Sequence, residues 1–347
     1  MAYTTIDDPT IYFNTKLWTG NSSSGTGQTG VGFQPDWIWI KARAGTQGTQ
    51  SHNLFDSVRG EGKYLFSDGN DAESTDTNRL TSFDSDGFTV GSNNAVNASS
   101  TTYVAWNWKA GGSASSNSNG SITSSVSAST DAGFSIVKYT GTGANATVGH
   151  GLGVAPKMVI IKRLENATHW LVGGGNIGWT KNLYLSLTSA EQTYNHFQDQ
   201  SPSSSVVYMT NDGALNNSSE DYIMYCFAEK KGFSKFGSYT GNGQESGKGP
   251  FIYLGFKPAF FLLKESSNAD NWIILDNKRQ GYNGRNDMLF PNLNNAEYAS
   301  DRIELVSNGV KIIDSDGSIN TSGATYIYMA FAESPFVNSN GIPNNAR

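Results

Sequence analysis

The chain has 347 residues, a formal net charge of −6 with 16% charged residues, 39 glycines and 12% aromatic residues. That length is too great for one ordinary core, and the aromatic content excludes a disordered chain. Basic residues are scattered, with no cluster denser than Lys230-Lys231, which excludes a phosphate-tracking nucleic-acid surface.

Met1 to Thr10 has neither the basic nor the apolar region of an export signal, and no apolar stretch approaches the roughly 18–20 residues of a membrane helix. The expectation is a soluble product made in a cytoplasm, without membrane insertion. The first landmark is Leu17-Trp18-Thr19-Gly20-Asn21, followed by Gly32-Phe33-Gln34-Pro35-Asp36-Trp37-Ile38-Trp39-Ile40-Lys41 and then Tyr103-Val104-Ala105-Trp106-Asn107-Trp108. The same order recurs twice. Lys138-Tyr139-Thr140-Gly141 precedes Gly153-Val154-Ala155-Pro156-Lys157-Met158-Val159-Ile160-Ile161-Lys162 and Tyr222-Ile223-Met224-Tyr225-Cys226-Phe227. Ser238-Tyr239-Thr240-Gly241 precedes Gly255-Phe256-Lys257-Pro258-Ala259-Phe260-Phe261-Leu262-Leu263-Lys264 and Tyr326-Ile327-Tyr328-Met329-Ala330-Phe331. Trp18, Tyr139 and Tyr239 lie 17, 17 and 19 residues before Pro35, Pro156 and Pro258, and these prolines lie 68, 66 and 68 residues before Tyr103, Tyr222 and Tyr326. Three landmarks in one order at nearly fixed distances mark an internal repeat.

Each unit reads as short runs of Val, Ile, Tyr, Phe and Trp punctuated by Gly, Asn, Asp and Ser, with no helical period. The expected fold is all-β: three tandem antiparallel β-sandwich or jelly-roll-like domains covering residues 1–110, 133–231 and 232–347, with residues 111–132 as a flexible Gly/Ser/Asn-rich linker. The second and third domains should pack as a unit and the first should have more freedom. The four consecutive apolar residues after each Pro want cover on both faces of their sheet. The Lys ending each run reads as a strand-terminal residue with a buried stem and a solvated head. Asp86-Gly87, Asp212-Gly213 and Asn308-Gly309 read as hairpin turns, each with a strand after it.

Chemistry-bearing patterns are weak. His52, His150, His169 and His196 lack metal-ligand spacing, and Cys226, alone in an apolar run, reads as a small buried hydrophobe. Asp84-Ser85-Asp86-Gly87, echoed by Asp314-Ser315-Asp316-Gly317, resembles the opening of a calcium loop without its distal Glu. Asp84 and Asp86 are the candidate cation ligands, behind a hairpin-turn reading. Trp18, Tyr139 and Tyr239, each before a Thr-Gly turn, are the aromatics expected to be partly exposed and are the candidate sugar-binding platform. No cofactor and no catalytic residue are expected.

The motifs Gly149-His150-Gly151-Leu152-Gly153-Val154-Ala155-Pro156-Lys157-Met158, Phe236-Gly237-Ser238-Tyr239-Thr240-Gly241-Asn242-Gly243 and Tyr326-Ile327-Tyr328-Met329-Ala330-Phe331-Ala332-Glu333 resemble a repeat-domain family of uncharacterised function found in virion structural proteins of tailed phages, especially marine ones. The resemblance implies a non-enzymatic virion protein assembled in the host cytoplasm. Its expected place is a tail fibre, spike or appendage, oligomeric, in contact with other virion proteins and with host-surface glycan. The alternatives are a capsid-surface decoration or head-fibre protein, and a virion-associated glycan-degrading enzyme.

Overall fold

The computed structural model describes residues 3–279 and 286–344. Strand makes up 43% of the chain and helix 3%, so the protein is nearly all-β, and its sheets are antiparallel. A six-stranded sheet runs in the order Phe13–Thr19, Thr102–Trp108, Trp37–Ala44, Asn53–Asp56, Lys63–Phe66, Ser74–Thr75. An eight-stranded sheet runs Ser115–Asn117, Ser124–Ser129, Phe134–Thr140, Asp221–Phe227, Met158–Arg163, Leu171–Gly174, Lys181–Tyr184, Gln192–Thr193. A four-stranded sheet runs Ser234–Thr240, Thr325–Pro335, Phe256–Glu265, Trp272–Asp276. In each, the strand with the apolar run pairs with the aromatic closing strand, which pairs in turn with the opening strand. The registers set Trp18 opposite Tyr103, Tyr139 opposite Tyr222 and Tyr239 opposite Tyr326. Smaller sheets of three, two and three strands lie over them, the first built on Gly87–Val90, the second on Val206–Met209 and the third on Gly309–Ile312.

Strand alternation explains why the apolar runs need cover twice. Ile38 and Ile40 share a core with Leu80, Phe88 and Val90 of the small sheet, whereas Trp37 and Trp39 face the opposite way into a larger cluster. Val159 and Ile161 pack with Val148, Val207 and Met209, whereas Met158 and Ile160 join the larger cluster. That cluster contains residues of all three large sheets, and its rings touch in a cycle. Trp37 stacks on Tyr225 at 4.5 Å, Phe227 meets Phe331 at 6.2 Å, and Trp108 meets Phe260 edge-on at 5.3 Å. Such aromatic pairs add about 0.5–1.5 kcal/mol each beyond area burial.

Several expectations are corrected here. The first large sheet is not freer than the others, because Trp37 and Trp108 anchor it to both neighbours. Residues 111–132 are not a flexible linker: Ser115–Asn117 and Ser124–Ser129 extend the eight-stranded sheet, and Ile122 and Val126 are buried. Their Ser-rich sequence hides a strand pair whose apolar anchors are few. Hairpins do form at Asp86 and Asn308, but their two-residue loops are Ser85-Asp86 and Ser307-Asn308, with Gly87 and Gly309 already paired in the following strands; Asp212-Gly213 instead follows the strand Val206–Met209, and Asp212 caps a turn by accepting from Ala214 N at 2.7 Å. Pro258 sits inside its strand, at a bulge where its missing N–H breaks no regular ladder.

Candidate functional site

Trp18, Tyr139 and Tyr239 belong to one local arrangement built three times. Each ring stacks on the tyrosine opposite it, at 5.2, 5.3 and 4.9 Å, with interplanar angles of 15°, 12° and 11°. Each polar tip donates to a backbone carbonyl: Trp18 Nε1 to Val96 O at 3.2 Å, Tyr139 Oη to Leu215 O at 2.6 Å and Tyr239 Oη to Ile319 O at 2.7 Å. Tyr139 is buried, not exposed as expected, and burial raises its hydroxyl pKa well above the usual value. Trp18 and Tyr239 are half-buried. With one face stacked and the donor engaged, these rings hold the ends of the sheets together.

The partner tyrosines complete the arrangement. Tyr103, Tyr222 and Tyr326 donate to Asn94 O, Gly213 O and Gly317 O, and accept from Ala98 N, Asn217 N and Thr321 N. Beneath them sit three fully buried amides. Asn97 donates to Gly91 O and Ser23 O, Asn216 to Ala144 O and Thr210 O, and Asn320 to Gln244 O and Asp314 O; each accepts from a backbone N–H of the facing loop. Reading the sequence missed these asparagines, although each stands six positions before its tyrosine, a constant spacing that marks them.

The three run-ending lysines also differ from expectation. Lys41, Lys162 and Lys264 are fully buried, and their ammonium groups reach no bulk water. Lys41 Nζ donates to Ala42 O at 2.7 Å and Gly48 O at 2.8 Å, Lys162 Nζ to Arg163 O at 2.8 Å, and Lys264 Nζ to Glu265 O and Asn268 O. The chain turns back over each strand end and supplies the carbonyls that replace solvent. Burial lowers each pKa to about 8.

Between sheets stand two buried ion pairs that the sequence signals only as Asp-x-x-Arg at Asp56 and Asp276. Arg59 Nε donates to Asp56 Oδ2, and Arg59 Nη1 also reaches Glu73; Arg279 repeats this with Asp276 and Glu297. A neighbouring sheet completes each carboxylate, through Tyr225 Oη to Asp56 Oδ2 at 2.8 Å and Trp106 Nε1 to Asp276 Oδ2 at 2.9 Å. In the aligned positions Met329 stands in place of Tyr225 and Trp106, and Gly174 in place of Asp56 and Asp276, so that combination carries no charge. Further indole donors cross between sheets, Trp170 Nε1 to Phe66 O at 2.7 Å and Trp272 Nε1 to Tyr184 O at 3.0 Å. His52 holds the aligned place in the first sheet and accepts from Trp39 Nε1 at 2.8 Å, while its Nε2 only faces the Phe290 carbonyl outside strict hydrogen-bond geometry.

Asp84 and Asp86 are engaged by the backbone and by a side-chain hydroxyl. Asp86 accepts from Gly30 N and Gly32 N at 3.0 and 2.7 Å, which lowers its pKa, and Asp84 accepts from Thr89 Oγ1 at 2.7 Å. Among the described residues no three His, Cys, Asp or Glu side chains gather as a metal would need. Asp316 caps the short helix Gly317–Asn320 and pairs with Arg302 at 3.0 Å, so the echo of the Asp84 motif serves a different element. Cys226 is buried, and burial pushes its thiol pKa up. His196 is buried 3.7 Å from Asp212, and burial lowers its pKa.

The model of a family described as a domain of unknown function, DUF7483, matches residues 8–335. The chain belongs to that family. The match runs through all three large sheets and closes with the strand Thr325–Pro335, so the family unit includes the strands that interlock. No curated protein and no solved structure matches the chain. Open grooves on the surface include one of about 350 Å³ beside the Lys138–Asp221 ion pair, one of about 390 Å³ beside Arg302 and Tyr298, and one of about 220 Å³ beside Tyr3 and Tyr253.

Proposed function

We propose that the chain is a structural protein of a tailed-phage particle, a tail fibre, spike or appendage component, built from three copies of one antiparallel β-sandwich covering residues 1–110, 133–231 and 232–347. The triplication reading is supported by the shared strand order and by the threefold recurrence of the stacked aromatic pair, the buried asparagine and the buried lysine. The particle reading draws on the motif resemblance described above.

One observation carries the architectural role: the polar and aromatic side chains that mark each repeat bind backbone or neighbouring sheets. Tyr225–Asp56 and Trp106–Asp276 are the clearest cases. A fibre or appendage element must resist shear and proteolysis, and contacts that lock three sheets to one another serve that end.

The test is immunogold labelling of intact particles with an antibody to the purified chain. Label along the tail or its appendages is the expected result. Label over the head shell would reassign the protein to capsid decoration, and no label on purified particles would overturn the proposal. Reducing-sugar release from host polysaccharide by the purified chain would replace the architectural role with an enzymatic one.

A further inference from the structure

Phe251 and Tyr253 stand two residues apart on one face of the strand Phe251–Tyr253, roughly 7 Å from each other by strand rise, and are 48% and 49% exposed. Ile252 between them points into the core. Among the described residues the strand pairs on one side only, with Gly309–Ile312, and Gly309 opposite Tyr253 offers no side chain to cover the ring. Tyr3 extends the strip: its hydroxyl donates to Gly255 O at 2.9 Å and meets the Tyr253 hydroxyl at 3.2 Å. Lys231 Nζ lies 4.6 Å from the centre of the Tyr3 ring, and Lys235 Nζ lies 5.3 Å from that of Tyr253. The groove of about 220 Å³ between them is lined by Tyr3, Lys231, Lys235, Tyr253 and Glu229, and Phe251 continues the strip beyond it. Among the described residues neither ammonium joins an ion pair, and Lys235 Nζ donates to Tyr253 O at 2.7 Å, which holds its charge beside the ring.

Adjacent exposed rings on a rigid strand match the apolar C–H faces of successive pyranose units. Ammonium groups beside those rings suit carboxylates that project from the sugar edge. A protein strand is a poorer occupant, because this edge is only three residues long and follows Pro250. We infer that the strip formed by Phe251, Tyr253 and Tyr3 binds an acidic polysaccharide, its sugar rings seated on the aromatics and its carboxylates on Lys231 and Lys235. Trp18, Tyr139 and Tyr239 do not line this groove. Its biological use rests on the surface-contact part of the reading above, while its chemistry does not.

The test titrates the full chain by calorimetry with a galacturonate hexamer, a neutral maltohexaose and dextran sulfate. Saturable binding of the uronate hexamer is expected, with little or none of maltohexaose. Tyr253→Ala, Phe251→Ala and the double change Lys231→Gln with Lys235→Gln should each weaken it at least tenfold, and Tyr194→Ala, at a comparably exposed ring elsewhere, should not; matched melting curves establish that each variant folds. No saturable uronate binding, equal affinity for the neutral hexamer, retention in Tyr253→Ala and Phe251→Ala, or binding only to dextran sulfate would overturn the assignment. Self-association that disappears in Phe251→Asp, without saccharide binding, would give the strip to a second copy and overturn it too. None of these results bears on where antibody labels the particle, so the two readings fail independently.

Discussion

Tyr225 donates its hydroxyl to Asp56 Oδ2 at 2.8 Å, joining the closing strand of the eight-stranded sheet to the end of a strand in the six-stranded one. Asp56 is at the same time held by Arg59, and both side chains are fully buried. A buried pair of this kind is costly to break from one side only, because the remaining charge has no solvent to turn to.

Tyr225→Phe should therefore destabilise the chain by about 1.5–3 kcal/mol, the usual worth of a hydrogen bond to a charged group. Asp56→Ala should cost more, about 3–5 kcal/mol, since the buried Arg59 is left with only its longer carboxylate contact, to Glu73. Urea midpoints of the two variants check the order; a Tyr225→Phe variant as damaged as Asp56→Ala would mean that the ring's packing, not its hydroxyl, matters.

The buried lysines make stability rise with alkaline pH. Folded, Lys41, Lys162 and Lys264 have pKa values of about 8 against 10.5 for an unfolded lysine. Between those values the unfolded chain holds a proton that the folded chain lacks, so stability increases with pH through the window by up to about 1.4 kcal/mol per pH unit for each lysine. Lys264→Met removes one such group. The stability of the native chain relative to Lys264→Met should grow by about 3 kcal/mol from pH 8 to pH 10.5, and a pH-independent difference would contradict burial of the charge.

Glu297 behaves in the opposite sense. Burial alone would raise its pKa, but the Arg43 hydrogen bonds at 2.7 and 2.8 Å and the charges of Arg279 and Arg43 outweigh it and hold the carboxyl at about 2, below the ordinary 4.5. Its contribution is complete above pH 4.5 and is lost as pH falls toward 2, about 3 kcal/mol in all. Glu297→Gln should lower the melting temperature at pH 6 and leave it nearly unchanged near pH 2. A deficit of equal size at both pH values would show that shape and not charge was removed.

How far the sequence reveals this architecture depends on whether a feature is local. The run 37–40 and its counterparts are legible as doubly covered strands because four apolar residues in a row cannot alternate between core and water. Lys41 is not legible as buried, since the carbonyls that replace its solvent come from a loop at Gly48 that sequence pattern does not place over the strand end. Ser115–Asn117 and Ser124–Ser129 were hidden for another reason: a polar strand pair gains its order from pairing with Phe134–Thr140, which composition does not record. Trp18, Tyr139 and Tyr239 stand out in the sequence by their place before a turn, and it is their cross-strand tyrosines that decide their fate. The strip at Phe251 and Tyr253 alternates around Ile252 as an edge strand should, yet only the glycine opposite Tyr253, which brings no side chain of its own, distinguishes it from an ordinary half-covered strand.

The central claim is that three large sheets share one core and stand or fall together. Scanning calorimetry of the full chain tests it most directly. A single transition is predicted, with a calorimetric enthalpy of about 240 kcal/mol by the per-residue average and an equal van't Hoff enthalpy. Two or three resolved transitions, each with its own smaller van't Hoff enthalpy, would show that the sheets unfold as separate beads.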